Sequence, residues 1–232
     1  MILAFETSAK AASVALLSED TLLGESYQNT GLTHSQTLLS MAEDLLAACG
    51  KTVADVTAVA VAAGPGSFTG VRIGVAAAKG FAWGRELPCY GVSTLEAMAL
   101  QLGVWQGYVV PTMDARRSQT YTALFRAEGG KLTRLAEDQA ISFEELGNLL
   151  KNREEPIFLV GDGVVLCYNT LKEAVPGLVL PPEHRRHQRA AGVALAAKQM
   201  MERGEPGDGA SLTPNYLRLS QAERERLARE NR

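Results

Sequence analysis

One order of elements runs through this chain twice, and that repeat constrains the fold more than any other feature. Residues 2–8, ILAFETS, read as a buried strand ending in an acidic residue and two small hydroxyls; residues 109–115, VVPTMDA, read as a strand ending in Asp114. A hairpin follows each: strands 11–17 and 22–27 around Ser18-Glu19-Asp20-Thr21, then strands 119–126 and 131–136 around Glu128-Gly129-Gly130. Each hairpin leads to a capped helix, 34–49 behind Thr33 and 142–150 behind Ser142. A short apolar strand and a glycine turn close each unit, VAVAAGPG at 59–66 and IFLVGDG at 157–163. The pattern predicts an α/β structural duplication in two lobes, 1–106 and 107–218. Within the second, 178–182 is expected to be extended and 189–203 helical; the charged stretch 219–232 lacks a full apolar face and is expected to fray.

The strand ends are where chemistry would gather. Glu6 and Thr7 close the first strand, Asp114 and Arg116 its echo, and Gly161 and Gly163 flank Asp162 in the last glycine turn. Such residues can surround a nucleotide phosphate and its metal; they equally serve as turn residues that simply close strands. The Arg116-Arg117 pair is bulky where a phosphate loop would carry glycine, although arginine can hold a phosphate from the side. The three histidines carry no catalytic signature: His34 sits at a helix start, where a local hydrogen bond is expected, and His184 and His187 lie in the basic run PPEHRRHQR. GxSxG and HExxH are absent, and no metal-ligand spacing is present.

The stretch AAGPGSFTGVRIGVAAAKG at 62–80 poses a separate question. A phosphate-cradling GxxxxGK[ST] fails here, because Val71 follows Gly70. In the helix that follows, Gly70, Gly74, Ala78 and Ala82 form one stripe of small residues, and Gly80 and Gly84 add a second. Glycine inside a helix costs about 1 kcal/mol against alanine, so close backbone approach is expected there. The approaching partner is either the chain's own sheet or another protein, the latter also meeting Leu38, Met41 and Leu45 on the preceding helix.

Composition narrows the class. A formal charge of −3 argues against a chain that grips nucleic acid alone, although Arg185, Arg186 and Arg189 form a local basic patch. Cys49, Cys89 and Cys167 are scattered among apolar residues, as expected of reduced thiols in a cytoplasmic protein. The N-terminus lacks a leader pattern, and no apolar run is long enough to span a membrane.

The strings ILAFETS, GPGSFTGVRIGVAAAKG, MDARRSQTY, VGDG and PNYLR, spread over residues 2–218, resemble the TsaB (YeaZ) family. The resemblance implies the actin-like ATPase (ribonuclease H-like) duplicated fold and a part in forming threonylcarbamoyladenosine at position 37 of tRNAs reading codons that begin with A. It implies a non-catalytic subunit that binds and activates the TsaD transferase, with the TsaE ATPase as a third partner and TsaC supplying the threonylcarbamoyl adenylate. A homodimer is expected when the chain is alone, with tRNA contacted weakly or indirectly. The paralogous transferase binds metal through a helical histidine pair; the matching positions here, in GVSTLEAMA, are Thr94 and Met98, which are unsuited as ligands. Family members usually carry Asp where Glu6 stands. No cofactor is expected to be required, and ATP or ADP binding is expected to be weak or partner-dependent. The resemblance resolves the small-residue stripe toward a partner interface. The main rival reading is an independent nucleotide-hydrolysing enzyme or metallopeptidase of the same superfamily, and a second is a direct tRNA-binding module using Arg185, Arg186 and Arg189.

Overall fold

The computed structural model describes residues 1–116 and 118–218. Strand β1 (Ile2–Glu6) is buried over its whole length because both of its faces are covered. It lies at the centre of a five-stranded sheet with β2 (Ala12–Ser18), β3 (Thr21–Gln28), β4 (Ala58–Ala62) and β5 (Cys89–Val92), in the order β3-β2-β1-β4-β5. β1 pairs antiparallel with β2 and parallel with β4. Along β1 the side chains alternate in size. Leu3 and Phe5 pack under α1 (His34–Ala48) and α2 (Phe68–Trp83), while Ala4, with Ala58 and Ala60 of β4, offers a shallow surface to α6 (Ala190–Glu202). Small residues on both partners bring that alanine-rich helix close to the sheet.

The second sheet repeats the first. Its order is β10-β9-β6-β7-β8, built from β6 (Gln106–Asp114), the hairpin β7 (Gln119–Glu128) and β8 (Lys131–Ser142), then β9 (Ile157–Val160) and β10 (Leu178–Val179). Again the central strand is antiparallel to its hairpin partner and parallel to the strand after the helix. Helices α4 (Phe143–Leu150) and α5 (Val164–Leu171) cover one face, and α3 (Thr94–Leu102) covers the other with Leu95, Met98 and Ala99. α3 also packs on α6, so these two helices lie between the sheets.

Local signals set several boundaries. Ser67 caps α2 by accepting from Gly70 N, Ser93 caps α3 by accepting from Glu96 N, and Ser142 forms a capping box with Glu145. Thr33 occupies the N-cap of α1, but its hydroxyl makes no capping bond. Two features depart from the sequence reading. β8 runs on to Ser142, paired with β7 on both sides of two register irregularities, rather than ending near 136. Helix α5 was not expected; its cap, Gly163, offers no side chain, and burial of Val164, Cys167 and Leu171 holds it in place. Residues 190–215, counted with the second lobe from sequence, lie against the first lobe. Arg117 and the charged stretch 219–232 lie outside the described residues. Among the described residues no helix is long and apolar enough to cross a membrane.

Candidate functional site

The duplication brings the C-terminal ends of β1 and β6 together at the mouth of a cleft between the lobes. A cavity of about 690 Å³ opens there, bordered by Ser8 and Lys10 after β1, Gly66–Thr69 at the start of α2, and Asp114–Arg116 after β6. Asp162 and the segment 215–218 complete the lining. Lys10, Arg116, Arg218, Asp114 and Asp162 all line it, so the wall is mixed in charge.

Of the six residues read as nucleotide-facing, Asp114 and Arg116 line the cleft, and Asp114 Oδ1 accepts a hydrogen bond from Arg116 N at 2.7 Å. Glu6 and Thr7 do not line it. The Thr7 hydroxyl donates to Gly70 O at 2.8 Å, inside the protein. Glu6 is fully buried; its Oε1 accepts from Ser8 N at 2.6 Å, and its Oε2 has no partner. Burial pushes the Glu6 carboxyl up to about 7 against the lowering effect of the Ser8 bonds, and the neighbouring Asp162 charge adds to the rise. Burial also raises Asp162, whose Oδ1 accepts from Gln188 Nε2 at 3.1 Å. Gly161 and Gly163 serve packing: a Cβ at Gly161 would lie 2.2 Å from Thr112 O, and one at Gly163 3.0 Å from the same atom. With Glu6 withdrawn and Asp114 engaged by its own backbone, the carboxylates here do not fit a divalent metal bridging a nucleotide polyphosphate.

The partner-interface reading of the small-residue stripe is overturned by burial. Leu38, Met41, Leu45, Gly70, Gly74, Ala78 and Ala82 are all buried in the first lobe's own core or against its strand ends. A Cβ at Gly70 would sit 2.1 Å from Thr7 O, and one at Gly74 2.3 Å from Thr7 Oγ1. The residue that needs these glycines, Thr7, directly follows β1 of the same chain. The second stripe is the exposed one: a Cβ at Gly80 would meet nothing within 4 Å, and Trp83, one turn on, is 79% exposed. Leu39 on the outer side of the adjacent α1 is exposed as well.

Thr94 and Met98, at the paralogue's histidine positions, are interior: Met98 belongs to the core beneath the second sheet, and the Thr94 hydroxyl has no partner. His34 bonds Ala9 O at 2.8 Å, a tertiary contact where a local one was expected.

Sequence reading missed the part played by PNYLR. The segment 205–218 crosses from the first lobe to the second over the cleft mouth. Lys79 Nζ donates to Ala210 O and Leu212 O at 3.2 and 3.0 Å, Asn215 N donates to Ala63 O at 2.6 Å, and Arg218 donates to Ala115 O. Tyr216 stacks on Phe68 with ring centroids 4.8 Å apart, and Arg72 lies 3.8 Å over Phe68 while its Nε donates to the Tyr216 hydroxyl at 2.7 Å. The aromatic and the flanking Arg were the signal available in the sequence.

A family model described as TsaD, tRNA N6-adenosine threonylcarbamoyltransferase, matches residues 28–225. The Bacillus subtilis tRNA threonylcarbamoyladenosine biosynthesis protein TsaB is 34% identical over 223 residues, covering 96% of both chains. The chain belongs to the TsaB (YeaZ) family. The solved structure of YeaZ from Pseudomonas aeruginosa superposes with a TM-score of 0.79 at 28% identity, over 93% of this chain and 99% of that one. The ethanolamine utilization protein EutJ from Carboxydothermus hydrogenoformans, at 14% identity and a TM-score of 0.51 over 84% of this chain and 89% of its own, shares the fold alone. The fold is the duplicated actin-like ATPase fold, and the TsaB family works in threonylcarbamoyladenosine biosynthesis.

Proposed function

We propose that this chain is a non-catalytic subunit that binds and activates the TsaD-type transferase in forming threonylcarbamoyladenosine at position 37 of tRNA. The observation that carries the reading is the state of the β1 end. Glu6 is buried and Thr7 bonds α2, so the strand end that would present a carboxylate to a metal-bound phosphate is committed to the chain's own core. Asp114 alone, held by Arg116 N, is a poor substitute. The isolated chain therefore binds ATP or ADP more weakly than micromolar, with a binding free energy less favourable than about −8 kcal/mol.

The partner sits on the outward side of α1 and α2. Gly80 lets a second backbone approach, and Trp83 supplies a large exposed aromatic anchor of the kind that dominates interfaces. Two copies can use this patch across a twofold axis, so a homodimer and the transferase complex compete for it. The TsaE-type ATPase joins the assembled pair.

Reconstitution with the transferase, the ATPase, the enzyme supplying threonylcarbamoyl adenylate, and tRNA tests the reading. The chain alone makes no modified nucleoside, and adding it raises the transferase's yield. Gly80→Arg and Trp83→Ala abolish both co-elution with the transferase and the homodimer, while the fold persists. Hydrolysis of ATP or peptide by the isolated chain, lost on Asp114→Asn, would instead establish an independent enzyme.

A further inference from the structure

A second cavity, of about 600 Å³, lies at the opposite end of β6 from the cleft. Leu102, Val104, Phe158, Val179, Leu180 and Pro181 make its apolar floor and walls, and Trp105 forms one side. Trp105 is 72% exposed, yet it is held in place. Its carbonyl accepts from Gly130 N at 3.1 Å, and its six-membered ring lies 2.8 Å from the position a Cβ on Gly130 would take. The hairpin turn can support the indole because Gly130 has no side chain and adopts φ +79°. A large aromatic surface is thus fixed in position with most of its area in solvent, next to a space of small-ligand size.

The rim is cationic. His184 and Arg185 line it from a one-turn 3-10 helix, Glu183–Arg185, and neither Asp nor Glu is among the described lining residues. The neighbouring arginines are occupied elsewhere: Arg186 Nε donates to Pro181 O at 2.6 Å, and Arg189 pairs with Glu25 at 2.9 Å and lies 4.5 Å over the Tyr27 ring. Among the described residues Arg185 makes no ion pair. The basic run therefore directs one uncommitted guanidinium toward this cavity.

We propose that the cavity binds one unpaired nucleotide of an RNA strand, with the base stacked on Trp105 and its phosphate held by Arg185 and His184. An exposed indole and a guanidinium lining one cavity, with no carboxylate among its described lining residues, match the two things an unpaired nucleotide offers, a planar face and an anion. A duplex keeps its bases stacked on each other and cannot supply that face. An acidic peptide offers the charge without the planar ring. The choice of RNA rests on the reading of the chain as part of a tRNA-modifying assembly.

The chain has two tryptophans, so Trp83→Phe leaves Trp105 as the sole reporter in the full chain. Its emission is followed while a short unpaired oligoribonucleotide is added, and in parallel the same strand annealed to its complement, adenosine monophosphate, and an oligoglutamate peptide. Saturable quenching by the unpaired strand, weakened by salt and much weaker with the other three, is expected. In the otherwise native sequence, Trp105→Ala and Arg185→Glu each lower affinity for a fluorescently labelled strand by about tenfold. Absence of quenching, equal quenching by the duplex, the mononucleotide or the peptide, or unchanged strand affinity in folded Trp105→Ala protein would overturn the proposal. Both variants co-elute with the transferase as the parent does; failure of the parent itself to co-elute would count against the proposed function and leave the quenching result standing.

Discussion

Glu6→Gln isolates the cost of holding an acid in the core. The Glu6 carboxyl is raised from the ordinary 4.5 to about 7, chiefly by burial. Below pH 4.5 the group is neutral in the folded and unfolded chain alike, and its favourable contribution is complete. Between about 4.5 and 7 the unfolded chain ionises first, so stability drains away as pH rises. Above pH 7 the whole difference has been lost, and at about 1.4 kcal/mol per pH unit it amounts to roughly 3 kcal/mol. Glutamine keeps an oxygen to accept from Ser8 N and does not titrate. Urea unfolding followed by circular dichroism, at a series of pH values from 5 to 8.5, should show the variant gaining on the parent by about 3 kcal/mol across the range. Asp162, also raised, is present in both proteins, so the difference reports Glu6 together with its repulsion of Asp162. A difference between variant and parent that stays constant with pH would refute the claim that Glu6 is an uncompensated buried acid.

Ala78→Arg places a charge in the first core and should unfold the chain, whereas Gly80→Arg, on the exposed stripe of the same helix, should keep the native melting transition; equal behaviour of the two would contradict the assigned faces. Gly70→Ala drives a methyl against Thr7 O, so about 1–3 kcal/mol of overpacking should outweigh the ~1 kcal/mol gain in helix propensity and lower the melting temperature. Burial pushes the Cys89 thiol up to about 11 and the Cys167 thiol to about 12, so at neutral pH a thiol reagent should label Cys49 quickly in native protein and all three cysteines only after denaturation.

The sequence was most readable where local chemistry and tertiary packing ask for the same thing. Ser142 caps α4 and the helix stops at Leu150 as read, and the alternation of strands, hairpins and helices is realised twice in the same order. It misled where one residue pattern serves two partners. Periodicity shows that Gly70, Gly74, Ala78 and Ala82 share a face, but the face of a helix that meets its own sheet and the face that meets another protein look alike in a list of small residues. What separates them is the position of Thr7, more than sixty residues away in the chain, and no local window contains it. Glu6 misled for a related reason. An acidic residue closing a strand reads as a ligand to a bound group, whereas its surroundings here are Ser8 and the interior. The segment around Tyr216 was legible only as a motif, because its contacts are with Phe68, Arg72 and Ala115 in distant parts of the chain.

Helix α6 sits late in the sequence and covers a sheet made at the very start. During synthesis, which proceeds from the N-terminus, the five strands of the first sheet emerge long before the helix that roofs their Ala4, Ala58 and Ala60 face. Until residues 190–202 leave the ribosome, that face is an open apolar plane. A chain cut or stalled after residue 106 is therefore left with half a core and an aggregation-prone surface, whatever its lobe-like appearance. The first lobe is a unit of architecture without being a unit of folding, and its core closes only once α6 has been made.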